Sequence, residues 1–380
     1  MPLKVLHTAD LHLGTHFPSL GNYGPEREKD FLTTFSSIIK LSLDQKVDLV
    51  LIAGDLFDSP HPSLNLFGTV KAELEKLIDA NIPIALIPGT HDNIMASDHI
   101  YRHPFFEQTI LFKEPILKEP KFLDLKEHPI YLYGMAYHPD VPGEYLKNLK
   151  RRDMPGIHLG LLHGSIQGSP DWKIYAKDFP VSIDELASLN LDYIALGHYH
   201  NRMVYSHEGK IIASYTGTPE GKRFKESGQR YVHLLEFKEG SPLELTPVPI
   251  NTKTLLEKEI DLFTFPTQTS LAKEILKLSP QKEKTLLRII LKGVTENILD
   301  IEKIYSEIAP YFPHVEILDE TSVMNSQWMS HLEKENSIRG FFVRRMKEKM
   351  DEVKDPLEKE LQVASFKEIL FEFQKKAELS

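Results

Sequence analysis

The sequence contains no cysteine among its 380 residues. Disulfides, zinc–thiolate sites and cysteine nucleophiles are therefore excluded, and any metal ion must be held by histidine and carboxylate side chains. Long apolar runs are absent too, since no window approaches the roughly 18 apolar residues of a membrane span and the N-terminal segment lacks the apolar stretch of a signal peptide. We therefore expect no membrane association and a cytoplasmic location.

The sequence also has no excess of positive charge, because its 45 Lys and Arg residues are outnumbered by 55 Asp and Glu residues. The formal net charge is −10. This counts weakly against nucleic acid as a ligand, since binding to phosphates favours positive charge. Bound divalent cations and local basic clusters can reverse the sign at a site. The hydrophobic fraction of 41% and the chain length predict two or three domains.

Residues 1 to about 240 alternate short β-branched runs with helical stretches, which is typical of a layered α/β domain. A helix is predicted from Phe67 to Ile78, with Ser63 as its N-cap. After Pro247 the pattern predicts a small α+β module and then charge-balanced helices from about residue 331. The predicted buried strands of the first part are 4–9, 48–54, 83–89, 130–137, 156–164 and 192–200.

Side chains that bind metals follow five of these six strands within a residue or two. Because residues just past the carboxyl ends of strands converge on one crevice in an α/β sheet, we expect them to meet in one place. In Asp-x-His and His-x-His, the i, i+2 spacing points both ligands to the same side of an extended segment. The set is Asp10, His12, Asp55, His91, Asp92, His163, His198 and His200.

Oxygen and imidazole ligands without sulfur suit Mn, Fe or Zn better than Ca or Mg. The set exceeds the needs of one ion, so two ions about 3.5–4 Å apart, bridged by a carboxylate, are predicted. Each side chain alone has a simpler explanation, such as a turn residue for Asp55 or a strand end for His163. The joint pattern is not explained in this way, because other histidines, such as His61, do not follow a buried run.

The motifs Asp-x-His, Gly-Asp-x-x-Asp, Gly-x-His-Asp, His-Gly and Gly-His-x-His follow one another between Asp10 and His200. In this order they resemble the signature of the calcineurin-like metallophosphoesterases. The segments TADLHLG, GDLFD and TGTPEGKRFKESGQRYVHLLEF (216–237) are similar to the nuclease subunit of SbcCD-type double-strand-break repair complexes and to YhaO-like relatives. The similarity is strong to residue 237 and looser beyond it.

This resemblance implies a four-layer α/β/β/α sandwich for residues 1–250, an α+β capping domain at 251–325 and C-terminal helices at 326–380. It implies a two-metal phosphodiesterase that acts on DNA in repair, with Mn²⁺ as the expected cation. The C-terminal helices would dock on an SMC-like coiled-coil ATPase of the SbcC or YhaN type, and the chain would form a homodimer.

The resemblance also implies the role of each site residue. Asp55 would bridge the two ions, and His91 would be the general acid, with Asp92 fixing its orientation and protonation. The remaining ligands would be Asp10, His12 and His200 for one ion and His163 and His198 for the other.

Thr90 departs from the resemblance, which implies an Asn whose side-chain carbonyl binds the second ion. A threonine hydroxyl is shorter and a weaker metal ligand, so the second site would bind less tightly or take up water in its place. We expect activity to survive, with a steeper dependence on metal concentration. A protein that has lost its activity and serves as a scaffold is the alternative.

Two basic clusters are candidates for DNA contact. One consists of Lys222, Arg223 and Lys225, with Arg230 close by, and the other spans residues 150–152. A solvated surface is the alternative interpretation of either cluster. If they bind DNA, affinity falls with rising salt.

Apolar stripes near the C-terminus predict a packing or docking surface. Packing against the protein's own capping domain is the alternative to partner docking, and the resemblance favours a partner. The stripes consist of Ile338, Phe341, Phe342, Arg345 and Met346, and of Leu357, Leu361, Phe366, Ile369, Leu370 and Phe373.

Two other activities compete with DNA cleavage. A phosphodiesterase for a small nucleotide fits the acidic net charge, but it leaves the residues beyond 250 without a role. A phosphoprotein phosphatase leaves the segments TADLHLG and GTPEGKRF unexplained.

Overall fold

The computed structural model describes residues 2–116, 119–140, 146, 149–168, 178–262, 268–295, 299–323, 326–353, 355, 358, 361–363, 365–366 and 369–370. The chain divides into two compact units, Met1–Thr254 and Leu255–Ser380. The predicted boundary at residue 250 lies near this division, and the further boundary at 325 stays a prediction. No helix in the described ranges is long and apolar enough to cross a membrane.

The first unit is a mixed α/β structure. Its helices are α1 (Gly24–Asp44), α2 (Leu64–Asp79) and α3 (Ile183–Ser188), and short 3-10 helices lie at Pro18–Tyr23, Ile100–Arg102 and Pro104–Gln108. Its strands are β1 (Leu3–Thr8), β2 (Leu49–Ala53), β3 (Ile84–Ile87), β4 (Ile110–Leu111), β5 (Lys121–Leu125), β6 (His128–Gly134), β7 (Ile157–His163), β8 (Tyr193–Gly197), β9 (Met203–His207), β10 (Lys210–Tyr215), β11 (Tyr231–Phe237) and β12 (Glu244–Pro249).

These strands form two six-stranded sheets, in the orders β12-β11-β1-β2-β3-β4 and β5-β6-β7-β8-β10-β9. The neighbours from β1 to β4 are parallel, as are those from β6 to β8. Leu51 and Ala53 of the first sheet pack in one core with Leu159 and Ala195 of the second. The two sheets therefore face each other as a sandwich, in agreement with the predicted fold class.

Sequence patterns account for the central elements. All six predicted strands are present, as β1, β2, β3, β6, β7 and β8, and β2 and β3 are buried along their whole length, as expected for parallel strands covered on both faces. The predicted N-cap of α2 is confirmed, because the Ser63 hydroxyl accepts a hydrogen bond from the Leu66 amide at 3.2 Å. Phe67 and Leu74 are among the residues that α2 buries.

A buried polar chain joins the two sheets. The Tyr193 hydroxyl lies 2.8 Å from His7 Nδ1 and 2.5 Å from Ser214 Oγ, which in turn lies 2.8 Å from His233 Nδ1. Burial, with the charge of Arg202 as a smaller cause, lowers the pKa of His233 to about 3. Burial also lowers the pKa of His7 well below its ordinary value. Both imidazoles are therefore neutral in the folded protein near neutral pH.

This burial predicts acid destabilisation. In the unfolded chain, the pKa of His233 is about 6.5, so below that pH the unfolded chain binds a proton that the folded protein does not bind. The free energy of unfolding should fall between about pH 6 and pH 4, by up to about 1.4 kcal/mol per pH unit for this one residue. For His233→Asn, the free energy of unfolding, measured with urea at several pH values in that range, should depend on pH less steeply than in wild type, by about that amount. Equal pH dependence in the two proteins would contradict the prediction.

The second unit contains strands β13 (Thr254–Asp261), β14 (Thr285–Lys292), β15 (Val294–Thr295), β16 (His314–Asp319) and β17 (Ser322–Val323). Its helices are α4 (Gln268–Ile275), α5 (Ile301–Ile308), α6 (Ser326–Lys334) and α7 (Ile338–Glu352), with 3-10 helices at Lys282–Lys284 and Ala309–Tyr311. β13, β14 and β16 form one sheet, with β14 and β16 parallel. Leu271 and Ile275 of α4 and Ile304 of α5 pack with Ile289 of this sheet.

Candidate metal centre

The predicted ligands lie at the carboxyl ends of strands from both sheets, where the chain leaves β1, β2, β3, β7 and β8. Several of them have a backbone conformation that non-glycine residues rarely adopt. Such strained positions cluster at functional sites. The positive φ angles are found at Asp10 (54°), His12 (45°), Asp55 (50°) and His198 (108°).

The structure brings the potential ligand atoms together in three groups, each with all its atoms within 4.8 Å of one another. His198 lies beside them, with its ring centre 5.3 Å from that of His163, but it belongs to none of the three. The groups are Asp10, His12 and His200; Asp10, Asp55 and His163; and His12, Asp58 and His91.

Two imidazoles face each other through their Nε2 atoms, with only 3.1 Å between His12 Nε2 and His200 Nε2. The opposite nitrogens are held by carboxylates, because His12 Nδ1 lies 2.9 Å from Asp58 Oδ1 and His200 Nδ1 lies 2.8 Å from Glu226 Oε1. A carboxylate fixes the proton on Nδ1 and leaves a lone pair on Nε2. Two lone pairs at this distance repel each other unless a cation lies between them, so this geometry fits a metal ion.

A second buried nitrogen points into the cluster. His163 Nδ1 donates to the Ala53 carbonyl at 2.9 Å, whereas Nε2 lies 3.4 Å from Asp55 Oδ2 without a hydrogen-bond partner in the described part of the chain. Burial lowers the pKa of His163, but the charges of Asp55 and Asp10 outweigh it and raise the pKa to about 9. The surrounding carboxylates therefore favour positive charge at this position, which also fits a cation.

Asp55 is anchored by the turn that follows β3. Its Oδ1 accepts from the His91 amide at 2.7 Å, and its Oδ2 accepts from the Thr90 hydroxyl at 3.2 Å. The Thr90 side chain thus stands beside the carboxylate predicted to bridge the two ions. A steeper dependence of activity on metal concentration, expected because Thr90 replaces Asn, stays a prediction.

The side chain of His91 differs from the other imidazoles because 45% of it is exposed, and its Nδ1 lies 3.4 Å from Asp58 Oδ1. The Asp92 carboxylate, predicted to orient His91, instead accepts from the amides of Gly89 (2.7 Å) and Phe57 (3.1 Å) and from the Tyr101 hydroxyl. Asp92 therefore holds the backbone turn. The carboxylate beside the His91 ring is that of Asp58.

A cavity of about 180 Å³ opens over the cluster. The cavity is lined by residues from the three groups of potential ligands and by the cationic side chain of Arg223. This guanidinium group can attract a phosphate. The lining residues are Asp55, Thr90, His91, Ser165, Asp178, His198, Tyr199, His200, Arg223 and Glu226.

The basic residues considered for DNA contact separate into two classes. Arg223 and Lys225 are exposed, whereas Lys222 is only 10% exposed and pairs with Asp58 at 2.7 Å. Arg230 is buried and donates to the Thr218 carbonyl at 2.9 Å. The second cluster is largely paired, since Arg151 contacts Asp192 and Arg152 contacts Glu119.

Sequence reasoning missed two carboxylates of the site, Asp58 and Glu226. Asp58 ends the motif Gly-Asp-x-x-Asp, so its place in the sequence indicates a role in the site. Glu226 lies in a loop without a periodic pattern, and its pairing with His200 becomes visible only in three dimensions. The hydrogen bond from His200 is a main reason why the pKa of Glu226 is lowered to about 2 despite burial, which acts in the opposite direction.

Known proteins resemble the chain over most of its length. "Uncharacterized metallophosphoesterase YhaO" of Bacillus subtilis is 31% identical over 247 residues, which are 63% of this chain and 58% of YhaO. "DNA double-strand break repair protein Mre11" of Sulfurisphaera tokodaii is 31% identical over 324 residues, 81% of this chain and 79% of that protein. A protein of Staphylococcus epidermidis named as a subunit of the nuclease SbcCD is 27% identical over 364 residues, 85% of this chain and 92% of that protein.

The match to YhaO spans less than two thirds of that protein's own length. A sequence profile described as "Calcineurin-like phosphoesterase" matches residues 3–202. Residues 3–202 include every predicted ligand and strands β1 to β8. The groups of potential ligand atoms lie at the carboxyl ends of these strands. The chain belongs to the calcineurin-like phosphoesterase family.

Proposed function

We propose that this chain is a metal-dependent phosphodiesterase that cleaves DNA in double-strand-break repair, with two divalent cations, most suitably Mn²⁺. The observation that carries the proposal is the pair of Nε2 atoms of His12 and His200, 3.1 Å apart beneath an open pocket. The substrate class is supported by the names of relatives, a DNA double-strand break repair protein and a nuclease subunit.

In this proposal the chain supplies two adjoining ligand sets that share Asp55. When bound, the cations stabilise charge on the phosphate oxygens and make a water molecule more acidic. The first set consists of Asp10, His12 and His200, and the second consists of His163 and His198.

His91 is the proposed proton donor to the leaving oxygen. General acids must reach the substrate, and the His91 side chain is 45% exposed, whereas those of His12 and His163 are fully buried. The Asp58 carboxylate lies beside the His91 ring, with Oδ1 3.4 Å from Nδ1. His91, the proposed acid, is thus exposed to solvent, whereas the proposed ligands His12 and His163 are buried.

Arg223 and Lys225 are the proposed contacts to DNA phosphates next to the cleaved bond. They alternate along the loop with Lys222 and Phe224, whose side chains turn inward. This alternation exposes two charges while the loop stays anchored, and Arg223 lines the pocket. Rising salt should therefore weaken DNA binding.

The proposal is tested by adding Mn²⁺ to the purified chain with linear duplex DNA and, separately, with bis-p-nitrophenyl phosphate. Degradation of both substrates, abolished by chelation, is the expected result. Release of nitrophenol without DNA cleavage would assign the site to a small diester. Inactivity on both substrates, with metal bound, would indicate a scaffold.

We further propose that the C-terminal helices dock on an SMC-like coiled-coil ATPase. Of the apolar residues predicted for docking, Phe342 and Met346 pack against a local core formed by Leu332, Val343, Phe366 and Leu370. Ile338 and Phe341 point outward, 82% and 64% exposed, as does Leu361 at 64%. Leu357 and Phe373 lie outside the described residues. The homodimer also stays a prediction.

Replacing both Ile338 and Phe341 with Asp is expected to abolish binding to the ATPase and to spare hydrolysis of bis-p-nitrophenyl phosphate. The reason is that both side chains lie outside the local core. Co-purification with the candidate ATPase measures binding. Deletion of residues after about 330 should give the same result, and retained binding in either variant would refute the docking role.

A further inference from the structure

Lys222 occupies a special place in the loop beside the pocket, because it contacts both carboxylates that hold the facing imidazoles. Its ammonium group donates to Asp58 Oδ1 at 2.7 Å. Its backbone amide donates to Glu226 Oε2, also at 2.7 Å. Asp58 and Glu226 in turn accept from the Nδ1 atoms of His12 and His200. One residue therefore joins the supports of two proposed ligands.

Asp58 has four neighbours around its carboxylate. Oδ1 accepts from His12 and Lys222 and lies 3.4 Å from His91 Nδ1, while Oδ2 accepts from the Thr15 hydroxyl at 2.7 Å. Only 25% of the Asp58 side chain is exposed, so its charge needs local compensation. The ammonium group of Lys222 lies against this carboxylate, and the contact ties the loop of residues 218–226 to the turn after β2.

We propose that Lys222 is a positioning residue, which sets the orientation of His12 and His91 through Asp58. This inference rests on the proposed function, and it replaces the expectation that Lys222 binds DNA phosphates. Its ammonium is directed to a carboxylate inside the site, and its side chain is 10% exposed. Lys225 of the same loop is exposed and free of any such ion pair among the described residues.

The two roles predict different behaviour of Lys222→Met. A phosphate contact contributes to DNA affinity, and its loss lowers the slope of log affinity against log salt by about 1 while leaving metal binding unchanged. A positioning residue acts on the imidazoles, and loss of such support typically weakens metal affinity or activity by about 10–100-fold. The metal measurement needs no nuclease activity, so it separates this inference from the proposed function.

The experiment titrates Mn²⁺ into the metal-free full chain by calorimetry, and it measures kcat on bis-p-nitrophenyl phosphate and the salt dependence of DNA binding. For Lys222→Met we expect weaker binding of one ion by about 10-fold or more, a lower kcat and an unchanged salt slope. Lys222→Arg should restore both values, because it keeps the charge beside Asp58. Lys225→Met, at a proposed DNA contact, should lower the salt slope and keep wild-type metal affinity. The matched control is Lys210→Met, at an exposed lysine of β10 outside the site, and it should change none of the three values.

Asp58→Asn is a second variant that keeps the size of the side chain. It removes the negative charge that fixes the proton on His12 Nδ1, so ¹⁵N spectra of the imidazoles should show a changed tautomer together with weaker metal binding. Wild-type metal affinity together with wild-type kcat in Lys222→Met would overturn the inference, whatever Asp58→Asn shows. A lower salt slope of DNA binding in Lys222→Met, with unchanged kcat, would also overturn it. That result would assign Lys222 to the contacts with DNA phosphates.

Discussion

Replacing His91 with Ala is expected to lower kcat on a phosphodiester by about 10²–10⁴, the usual contribution of a general acid. Metal binding should stay intact, because the contact of residue 91 with Asp55 is made by the backbone amide, which alanine retains. The side chain that is lost is partly exposed and faces the pocket. Turnover at saturating Mn²⁺ and calorimetric titration of Mn²⁺ measure the two effects separately.

The matched control is His61→Ala. The His61 side chain is 48% exposed, close to the value for His91, and pairs with Asp98 on the surface. It should change neither kcat nor metal binding. Unaltered turnover in His91→Ala would remove His91 from the mechanism, and a lost metal ion would make it a ligand, as its group with His12 and Asp58 also permits.

Gly54→Ala should reduce activity by about 10² or more and lower the number of bound ions. A Cβ atom at this position would lie 2.2 Å from His163 Nδ1, and the φ angle of +91° is unfavourable for any other residue. The imidazole must therefore move away from the Ala53 carbonyl that holds it. A displacement of about 1 Å at a catalytic centre costs about 10²-fold in rate.

Gly68→Ala is the control for this change. Gly68 lies in α2, and an added Cβ would have no atom within 4 Å apart from its chain neighbours and the backbone of its own helix. It should keep full activity and gain roughly 1 kcal/mol in unfolding free energy through helix propensity. Wild-type activity and two bound ions in Gly54→Ala would show that His163 is not a ligand.

The sequence was sufficient for the central strands and their shared crevice because both follow from local patterns. Continuous apolar runs predicted β1, β2, β3, β6, β7 and β8, and the geometry of parallel sheets predicted where their ends meet. β4, β5 and β9 to β13 did not appear in the prediction. Several of these are short or partly exposed, as β4 and β5 show, so their apolar signal is weak.

The contacts that orient the site were beyond prediction because they join distant parts of the chain. Lys222 and Asp58 are 164 positions apart, and no periodicity couples them. Asp92 shows the same limit, since its neighbour in sequence suggested His91 as partner, whereas its carboxylate accepts from the Gly89 amide. Residue type and strand position indicate which side chains reach a crevice, but they do not indicate which pairs form there.

The metal content of the protein tests the central claim most directly. Calorimetric titration of the metal-free chain with Mn²⁺, followed by anomalous diffraction from loaded crystals, should give two ions per chain. One should lie between His12 Nε2 and His200 Nε2, and the other between Asp55 and His163. A chain that binds no ion at these nitrogens at millimolar Mn²⁺ would contradict the account.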